Sequence, residues 1–345
     1  MQNEKEVTIQ KEKEGLERGN PHMPAELARA MKKQGYHFVG KHSATKACGY
    51  TVSSLKGGAS CYKHKFYGIK SWRCIQASPA IGCNLACTFC WRMIPEEEGF
   101  KWNEINAIQE WDDPAFIVEG LIEEHKKLVS GFKGNGKVDM KRWLESNDPA
   151  HVALSLTGEP LFYPKMNKLI EEFHKRKIST FLVTNGTMAN ALRHLTTLPT
   201  QLYVSVQAPN REVYEKITRA KTLNAWESFQ EFLDIFAEKE TRRVFRLTLI
   251  RDVNMLDAKG YAALIRKGKP HYVEVKGFVF VGGARNEERN LSYEQMPAKE
   301  EIISFASEIA KESGYRLVDY HEHSKVALLC SSMETERGRI IKFEK

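Results

Sequence analysis

Three cysteines lie within eight positions of the 345-residue chain, in the stretch CNLACTFC at residues 83–90. Cys83, Cys87 and Cys90 form a C-x3-C-x2-C pattern. A structural zinc site needs four ligands, usually as two separated pairs, whereas a close trio suits an iron–sulfur cubane that leaves one iron open. Cys87 and Cys90 also have the spacing of a redox dithiol, but such motifs carry no third cysteine four residues upstream. The spacing therefore favours an iron–sulfur cluster with one open coordination position.

A second set of three cysteines precedes the first at regular intervals. Cys48, Cys61 and Cys74 lie thirteen residues apart and thirteen again. They are compatible with a second cluster, with a zinc ion completed by Cys330 or His64, or with buried cysteines of no shared role. Spacing alone does not choose among these three interpretations, because long gaps carry little local information.

The elements that must position these thiols alternate along the chain from about residue 75. Short β-branched apolar runs are followed by longer amphipathic ones, which predicts βα units. The predicted strands are 151–158, 178–186, 202–208, 242–250 and 272–283, and the predicted helices are 166–176, 223–239, 258–268 and 297–314. Apolar strands separated by helices indicate a parallel sheet covered by helices, either an open doubly wound sheet or a full or partial barrel.

Polar residues follow several of the predicted strands at their carboxyl ends. Thr157-Gly158-Glu159-Pro160 follows one strand, Asn185 closes the next, and Ser205 and Gln207 lie near the end of a third. Each of these is also a common turn former or backbone partner when considered alone. Because ligands gather at the carboxyl ends of parallel strands, we expect these residues and the cysteine loop to line one site.

Composition indicates an ordinary globular protein with a basic surface. Lysine and arginine outnumber aspartate and glutamate by 52 to 44, so the formal net charge is +8. This excess favours a polyanionic partner. The first twenty residues are charged, and no segment has the apolar length of a membrane span, so we expect a cytoplasmic protein without membrane contact. Seven cysteines, an odd number, indicate metal or catalysis rather than disulfides in that compartment.

Together the cysteine pattern and the strand ends resemble the radical S-adenosylmethionine superfamily. Phe89 supplies the aromatic residue that often precedes the last cysteine, and the likeness covers about residues 75–283. The resemblance implies an α/β fold with a partial (β/α)6 TIM-like barrel, a [4Fe–4S] cluster on the C-x3-C-x2-C cysteines, and S-adenosyl-L-methionine as cofactor. It also implies cofactor contacts by residues at the strand ends, namely Thr157, Gly158, Glu159, Asn185 and Ser205.

A closer resemblance is to the archaeal-type tRNA 4-demethylwyosine synthases. It rests on CGY, CYKHKFYG, CTFCWR, SLTGEP, TQLYVS, LTLIRDVN and LVDYHEHSKVALL, and it runs from about residue 35 to 330. The family implies a second [4Fe–4S] cluster on Cys48, Cys61 and Cys74, and it implies that Lys63 forms a Schiff base. Its reaction, of the carbon–carbon lyase class, joins pyruvate to N1-methylguanosine beside the anticodon of tRNA-Phe and builds the third ring of the wyosine bases.

Candidate tRNA contacts lie beside the cysteine loop and in a polar insertion at residues 131–150. A guanosine in an anticodon loop can be splayed out and stacked on aromatic rings while cations hold the neighbouring phosphates. The candidates are Trp91 and Arg92 after the loop, and Lys137, Lys141, Arg142 and Trp143 in the insertion. Trp91 has the alternative role of shielding the cluster by packing beneath it.

The resemblance also carries expectations about organisation and partners. Residues 1–74 are expected to form a Cys-rich extension with the second ligand set, 75–283 the barrel, and 284–345 a helix and strand segment packed on it within the same globular unit. Residues 1–40 are too short and too charged for the flavodoxin-like domain of eukaryotic relatives, so we expect an external one-electron reductant. We expect the chain to act as a monomer.

Two other functions stay open at this point. One is a radical enzyme that acts on a peptide or on a different tRNA base, which would need neither Lys63 nor pyruvate. The other is a zinc-stabilised RNA-binding protein without catalysis. Iron and acid-labile sulfide content separates a cluster-bearing enzyme from the zinc protein.

Overall fold

Six apolar segments form consecutive parallel strands, as the alternating pattern predicts. The computed structural model describes residues 21–101 and 110–342. Its ten strands are β1 (His37–Val39), β2 (Ser43–Thr45), β3 (Cys74–Ser78), β4 (His151–Leu154), β5 (Ser179–Thr184), β6 (Gln201–Val206), β7 (Arg242–Leu249), β8 (Tyr272–Gly277), β9 (Arg316–His321) and β10 (Val326–Cys330). The strands β3 to β8 lie side by side in chain order, and each pairs with the next in parallel.

Short antiparallel strands extend both edges of this parallel array. The full order is β1-β2-β3-β4-β5-β6-β7-β8-β10-β9, with antiparallel pairing at β1-β2-β3 and at β8-β10-β9. The two outermost strands, β1 and β9, do not pair with each other in the described residues, so the sheet is open. The α/β class with six parallel strands is therefore observed, and the curvature of a partial barrel stays a prediction.

Helices lie between the parallel strands and beside the antiparallel strands at both edges. They are α1 (Ala25–Lys33), α2 (Gly49–Leu55), α3 (Tyr62–Tyr67), α4 (Pro114–Ser130), α5 (Met140–Ser146), α6 (Met166–Lys175), α7 (Ala189–Arg193), α8 (Arg211–Thr218), α9 (Ala225–Glu238), α10 (Ala258–Gly268), α11 (Lys299–Ser313) and α12 (Met333–Arg337). The four helices predicted from sequence are confirmed as α6, α9, α10 and α11. In the described part of the chain, none of these helices is both long and apolar enough to cross a membrane.

The sequence patterns assigned no element to the long connection between β3 and β4. The helix α4 fills the link between β3 and β4, and Asp113 caps it by accepting a hydrogen bond from the Ala115 N–H at 2.8 Å. The Asp-Pro start and the buried Ile117 and Leu121 are the signals that identify this helix. Predicted strands 151–158 and 272–283 are shorter in the structure, because their last residues leave the sheet and turn toward the cavity at its edge.

The two faces of the sheet have different surroundings. The main core lies between the sheet and the helices, where residues such as Leu182, Phe229 and Phe245 are fully buried. The opposite, inner face carries a second core that contains Tyr203, Val244 and Tyr272. Because side chains alternate between faces along a strand, the residues two and four positions later also lie on the inner face and lead toward the carboxyl ends.

Candidate active site

A cavity of about 780 Å³ lies at the carboxyl ends of the parallel strands. It is lined by side chains that the sequence pattern singles out and by three further polar residues from the inner face. The first group is Cys48, Cys83, Cys87, Cys90, Trp91, Arg92, Thr157, Gly158, Glu159, Asn185, Ser205 and Gln207, and the second is Arg246, Thr248 and Lys276. The strand ends and the cysteine loop therefore line one cavity, and its role as the binding site stays a prediction.

The loop that carries Cys83, Cys87 and Cys90 is held by two distant arginines. Arg289 is fully buried and donates to the carbonyl oxygens of Cys90 and Arg92, the latter at 3.2 Å. Arg219 donates from Nε to the carbonyl of Ala86 at 2.7 Å. These bonds satisfy carbonyl groups that an irregular loop cannot pair within itself, so they fix the loop shape.

Glu97 joins these two arginines. Its carboxylate lies 2.9 Å from Arg219 Nη2 and 2.6 Å from Arg289 Nη2. Burial alone would raise the pKa of Glu97, but the hydrogen bonds from Arg289 and Arg219 outweigh it and the pKa lies below its ordinary value. The buried Arg289 and the partly exposed Arg219, with one shared carboxylate, therefore form the support of the cysteine loop. Sequence reasoning missed all three residues, because their charges look like solvated surface groups until the fold brings them together.

An amide network supports the first cysteine. Asn185 Nδ2 lies 3.7 Å from Cys83 Sγ and 2.9 Å from Asn84 Oδ1. Thr187 accepts from Asn84 Nδ2 at 2.8 Å and donates its backbone N–H to Asn185 Oδ1 at 3.0 Å. A donor next to a thiolate sulfur is the kind of neighbour that orients a ligand and tunes a cluster. Asn84 and Thr187 lay outside the sequence prediction.

The three thiols of the loop are in a low-polarity environment. Burial raises the pKa of Cys83 to about 12 and raises the pKa of Cys87 and of Cys90 above their ordinary value. Such thiols stay protonated at neutral pH until a metal displaces the protons. No disulfide forms among the described residues, which include all seven cysteines. The donor set of the loop therefore fits a metal–sulfur group.

The described residues contain no group of three or more His, Cys, Asp or Glu side chains close enough to hold a single metal ion. A [4Fe–4S] cluster does not need such convergence, because each cysteine binds a different iron. Of the two side chains considered as completing ligands for zinc, the His64 ring nitrogen Nδ1 bonds the carbonyl of Ile69 at 2.8 Å, and Cys330 is fully buried within β10.

The turn after β4 approaches the cysteine loop closely. Gly158 has φ of +71°, and a Cβ there would lie 2.4 Å from the Ala80 carbonyl oxygen. Glu159 is buried, and its two carboxylate oxygens accept from the backbone N–H groups of Asn185 at 2.7 Å and Leu161 at 3.1 Å. Burial raises the pKa of Glu159 to about 7, although these hydrogen bonds oppose the rise. Glu159 thus joins the ends of β4 and β5 in addition to lining the cavity.

The second set of cysteines comes from three different elements. Cys48 precedes α2, Cys61 precedes α3, and Cys74 is the first residue of β3. Cys48 lines the cavity, whereas Cys61 and Cys74 do not. Burial raises the pKa of Cys61 to about 11 and that of Cys74 to about 12, and in each case the positive charge of Lys63 opposes the rise. Cys48 also interacts electrostatically with Cys61 and Cys74, so the three thiols lie in one region and Lys63 lies near two of them.

Lys63 is 7% exposed and belongs to α3. Its Nζ lies 5.2 Å from the ring centre of Phe181 and 5.1 Å from that of Tyr203 on the inner face of the sheet. Within the described ranges no carboxylate forms an ion pair with it. An amine held against aromatic rings without a counter-ion is accessible for chemistry in a way that a salt-bridged lysine is not.

A buried ionic network links α3 to the sheet. Glu274 accepts from the hydroxyl groups of Tyr62 at 2.8 Å and Tyr67 at 2.9 Å. Arg246 lies opposite Glu274 in the parallel register of β7 and β8. Two residues further along β8, Lys276 reaches the cavity, and burial followed by repulsion from Arg246 lowers its pKa. The alternation of polar with apolar residues in these two strands was the available signal for this face.

The candidate tRNA contacts fall in two separate places. Trp91 is 45% exposed and Arg92 is 6% exposed, and both line the cavity. Lys141 and Arg142 belong to α5, outside the residues that line it. Arg142 donates to the carbonyl of Ser54 at 2.8 Å and stacks on Trp72 at 4.7 Å, so its guanidinium supports α2.

Comparisons with known proteins agree with this arrangement. A family model described as the radical SAM superfamily matches residues 137–265, and one described as wyosine base formation matches 267–331. The chain is 45% identical over 315 residues to the S-adenosyl-L-methionine-dependent tRNA 4-demethylwyosine synthase of Pyrococcus horikoshii, and covers 90% of each sequence. It is 38% identical to the human protein of the same name over 304 residues, which are 40% of that longer protein.

Two solved structures are similar over nearly their whole length. One is a TYW1 structure with a lysine-pyruvate adduct bound, at 34% identity and a TM-score of 0.78, and the match covers 90% of this chain and 97% of that one. The other is an archaeal TYW1 structure at 32% identity and a TM-score of 0.72, with 92% of this chain and 98% of that one covered.

Proposed function

Because this chain belongs to the S-adenosyl-L-methionine-dependent tRNA 4-demethylwyosine synthase family of radical SAM enzymes, we propose that it condenses N1-methylguanosine beside the anticodon of tRNA-Phe with pyruvate to form the tricyclic 4-demethylwyosine. The observation that carries this proposal is a cavity lined by the first cysteine triad and by Cys48 of the second, with a buried lysine beside the second triad. Family membership favours this enzyme over a non-catalytic zinc protein and over a radical enzyme with another substrate.

The first triad would hold the [4Fe–4S] cluster that the radical SAM family implies. Cys83, Cys87 and Cys90 are the ligands, and Thr157, Gly158, Glu159, Asn185 and Ser205 line the adjoining wall where S-adenosyl-L-methionine would bind. When bound, the cluster and this cofactor supply the one-electron chemistry that removes a hydrogen atom from an unactivated C–H bond. The chain's own residues hold the loop rigid, exclude water and orient the substrate.

The second triad, Cys48, Cys61 and Cys74, would hold a second [4Fe–4S] cluster next to Lys63. We propose that the Lys63 amine attacks the ketone carbon of pyruvate and forms an imine with loss of water. A lysine-pyruvate adduct in the similar TYW1 structure supports this role. The positive charges of Arg246 and Lys276 on the same inner face suit the carboxylate that this substrate brings into the cavity.

Several finer points belong to the same proposal. Trp91 and Arg92 contact the target nucleotide, and exposed Lys141, with Arg142 beside it, approaches the tRNA phosphates. The six parallel strands curve as a partial (β/α)6 barrel, the expected extension 1–74 is its Cys-rich part, and the expected segment 284–345 packs on it; residues 1–20 and 343–345 of these segments lie outside the described residues. The enzyme acts in the cytoplasm as a monomer of the carbon–carbon lyase class and takes electrons from an external reductant.

Iron counting tests the two-cluster arrangement. We expect about eight irons and eight sulfides per chain in the anaerobically purified protein, and about four of each in the Cys48/Cys61/Cys74→Ala variant. Cys330→Ala is the matched control, because this fully buried cysteine lies within β10 and should leave the count unchanged. Equal iron in the wild type and the triple variant would remove the second cluster from the proposal.

Product formation tests the reaction itself. The reduced enzyme with S-adenosyl-L-methionine, pyruvate and N1-methylated tRNA-Phe should convert the methylguanosine to the tricyclic base, detected by mass spectrometry of the digested tRNA. Tricycle formation without added pyruvate, or none with it, would contradict the proposed substrate.

Borohydride trapping tests Lys63. Reduction in the presence of pyruvate should attach the three-carbon unit to Lys63 in the wild type and leave Lys63→Arg unmodified there. Lys65→Arg is the control, because Lys65 lies on the same helix but pairs with Asp319 at 2.7 Å. Trapping on another residue in wild type would assign the imine elsewhere.

A further inference from the structure

Arg92 is a buried cation in the cavity wall, and besides its interaction with the Tyr36 hydroxyl two of its donor nitrogens lack acceptors among the described residues. Its side chain is 6% exposed. Nε and Nη2 have no hydrogen-bond partner among the residues that the structure describes. A buried guanidinium normally pairs all of its donors, because each unpaired donor keeps a desolvation penalty of about 1–3 kcal/mol. Two orphan donors in a cavity wall indicate that a ligand supplies the acceptors.

The two unpaired nitrogens define the shape of that ligand. Nε–H and Nη2–H point in the same direction along one edge of the planar guanidinium, so they match two adjacent acceptor atoms. The backbone behind this edge is fixed: the Arg92 carbonyl accepts from Arg289 at 3.2 Å, and the Trp91 carbonyl accepts from the Gly283 N–H at 2.9 Å. Arg92 is therefore a preorganised bidentate donor rather than a mobile surface charge.

Neighbouring rings restrict where this edge can point. The guanidinium carbon lies 3.1 Å from the ring centre of Trp91 and 5.5 Å from that of Tyr36. Cys90 of the first triad and Cys48 of the second both interact electrostatically with Arg92. The guanidinium therefore lies near one member of each triad. A substrate held between these two cysteines therefore lies beside Arg92.

We propose that the Nε–Nη2 edge of Arg92 binds the O6 and N7 acceptors of the target guanine and thereby selects the base on which the enzyme acts. This inference rests on the proposed function. The N1-methyl group carries the reaction, so the N1 side of the base faces the triads, and O6 and N7 form the adjacent acceptor pair that remains. Bidentate contact of arginine with these two atoms is the commonest specific recognition of guanine.

The position of Arg92 favours a base edge over a phosphate. Backbone phosphates of a splayed nucleotide stay near the mouth of a pocket, where cations remain hydrated, whereas Arg92 is almost completely buried. N1-methyladenosine would present an amino donor where guanine has the O6 acceptor, so the same edge rejects adenine by placing two donors face to face.

Equilibrium binding of a labelled anticodon stem-loop tests this contact. The full-length, cluster-loaded enzyme is titrated with stem-loops that carry N1-methylguanosine, its 7-deaza analogue without the N7 acceptor, or N1-methyladenosine. For the wild type we expect binding to weaken about tenfold with the 7-deaza analogue and more with the adenosine. In Arg92→Met we expect about 10- to 100-fold weaker binding of the methylguanosine loop and no further loss with the analogue.

Two further variants make the test specific. Arg92→Lys keeps the charge as a single point donor, so it should lose the dependence on N7 even if Arg92→Met fails to fold. Lys46→Met removes another cation from the same cavity wall and should retain the full wild-type dependence on N7. Iron content and circular dichroism that match the wild type show that each variant keeps the site intact.

Three results would overturn the assignment. Equal wild-type affinity for the guanosine and 7-deaza loops would remove the N7 contact. Uniform weakening in Arg92→Met, with the N7 dependence retained, would assign Arg92 to a phosphate. A tenfold or greater loss of S-adenosyl-L-methionine affinity in Arg92→Met, with stem-loop binding unchanged, would assign it to the cofactor carboxylate. Failure of the wild type to bind any methylguanosine loop would instead refute the proposed function, and this inference with it.

Discussion

At the scale of single residues, the site depends on backbone positions that tolerate one residue type. Gly158 combines a positive φ with contact to the Ala80 carbonyl, and Asn185 combines a backbone bond to Glu159 with a side-chain contact to Cys83. Each residue therefore joins the turn at one strand end to its neighbour. The cysteines are the candidate ligands, but these turns determine where the cysteine loop and the cavity wall lie.

Alanine substitutions at Gly158 and at a control glycine separate the cost of a positive φ from the cost of a steric clash. Gly158→Ala adds a Cβ 2.4 Å from the Ala80 carbonyl at φ of +71°, so we expect the free energy of unfolding to fall by about 2–4 kcal/mol and the affinity for S-adenosyl-L-methionine to fall with it. Gly57→Ala is the control, since Gly57 has φ of +73° but no atom within 4 Å, and should cost about 1 kcal/mol. Urea unfolding measures the free energy of unfolding, and equilibrium dialysis measures the affinity for S-adenosyl-L-methionine. Equal losses of stability in the two variants would refute the steric argument.

At the scale of elements, the cysteine loop is stable because remote segments clamp it. Arg219, which ends α8, and Arg289, which follows β8, both donate to loop carbonyls and share Glu97. The same principle holds outside the site, where α4 and α5 meet through His125. Buried polar contacts between elements thus fix relative positions of helices and loops that hydrophobic packing alone would leave variable.

Removal of Arg289 should loosen the cysteine loop. In Arg289→Met, the Cys90 and Arg92 carbonyls and part of the Glu97 charge lose their partner in a buried site, so we expect about 3–5 kcal/mol less stability and lower iron retention. Arg193→Met breaks an exposed pair with Glu231 and should cost less than about 1 kcal/mol. Denaturant unfolding with iron analysis checks this, and a wild-type iron content in Arg289→Met would show that the clamp is dispensable.

The contact between α4 and α5 should make stability depend on pH. His125 bonds the Ser146 carbonyl at 3.2 Å, and burial lowers its pKa from 6.5 to about 4. The unfolded histidine therefore binds more protons than the folded one between pH 6.5 and 4, so stability is full above that range and falls as the pH falls through it, by at most about 1.4 kcal/mol per pH unit.

Unfolding of His125→Gln at several pH values measures this contribution. Gln can donate to the same carbonyl but does not titrate, so its stability should depend less on pH than that of the wild type. His194→Gln removes an exposed histidine and should follow the wild type. Parallel pH profiles for wild type and His125→Gln would exclude His125 as the source.

At the scale of the whole molecule, the active site joins parts of the chain that are far apart in sequence. The Tyr62 hydroxyl meets Glu274 across 212 positions, and this contact anchors the helix of Lys63 on β8. The second cysteine triad and the inner face of the sheet therefore form one unit. If this unit is disrupted, α3 and Lys63 lose their position on the inner face of the sheet.

Neutralisation of Glu274 should disturb the position of Lys63 and leave the first cysteine triad unaffected. Glu274→Gln removes the negative charge that interacts with Arg246 and weakens the bonds to Tyr62 and Tyr67, so we expect about 3 kcal/mol less stability and less trapping of pyruvate on Lys63. Binding of S-adenosyl-L-methionine at the first triad should persist. Glu231→Gln, at the exposed pair with Arg193, is the control. Unchanged trapping in Glu274→Gln would show that the network does not position Lys63.

The sequence by itself determined the elements and the chemistry of the ligands. The period-2 and period-3.6 patterns identified β4 to β8 with α6, α9, α10 and α11, because these patterns record local burial. The C-x3-C-x2-C spacing identified the candidate metal-binding loop, because three potential ligands within eight residues need no distant partner to be recognised. The strand-end residues followed from the rule that parallel strands end at one edge.

Only the tertiary structure decided which charges support and complete the site. Arg289 lies 199 positions from Cys90, and the residues around each of them give no sign that the two will be in contact. Arg246, Glu274 and Lys276 look like alternating strand residues until the register of β7 and β8 places them on the inner face. Burial of Arg92 and exposure of Trp91 likewise depend on the path of the whole loop. Such contacts arise from packing between distant segments, and packing leaves no local period in the sequence.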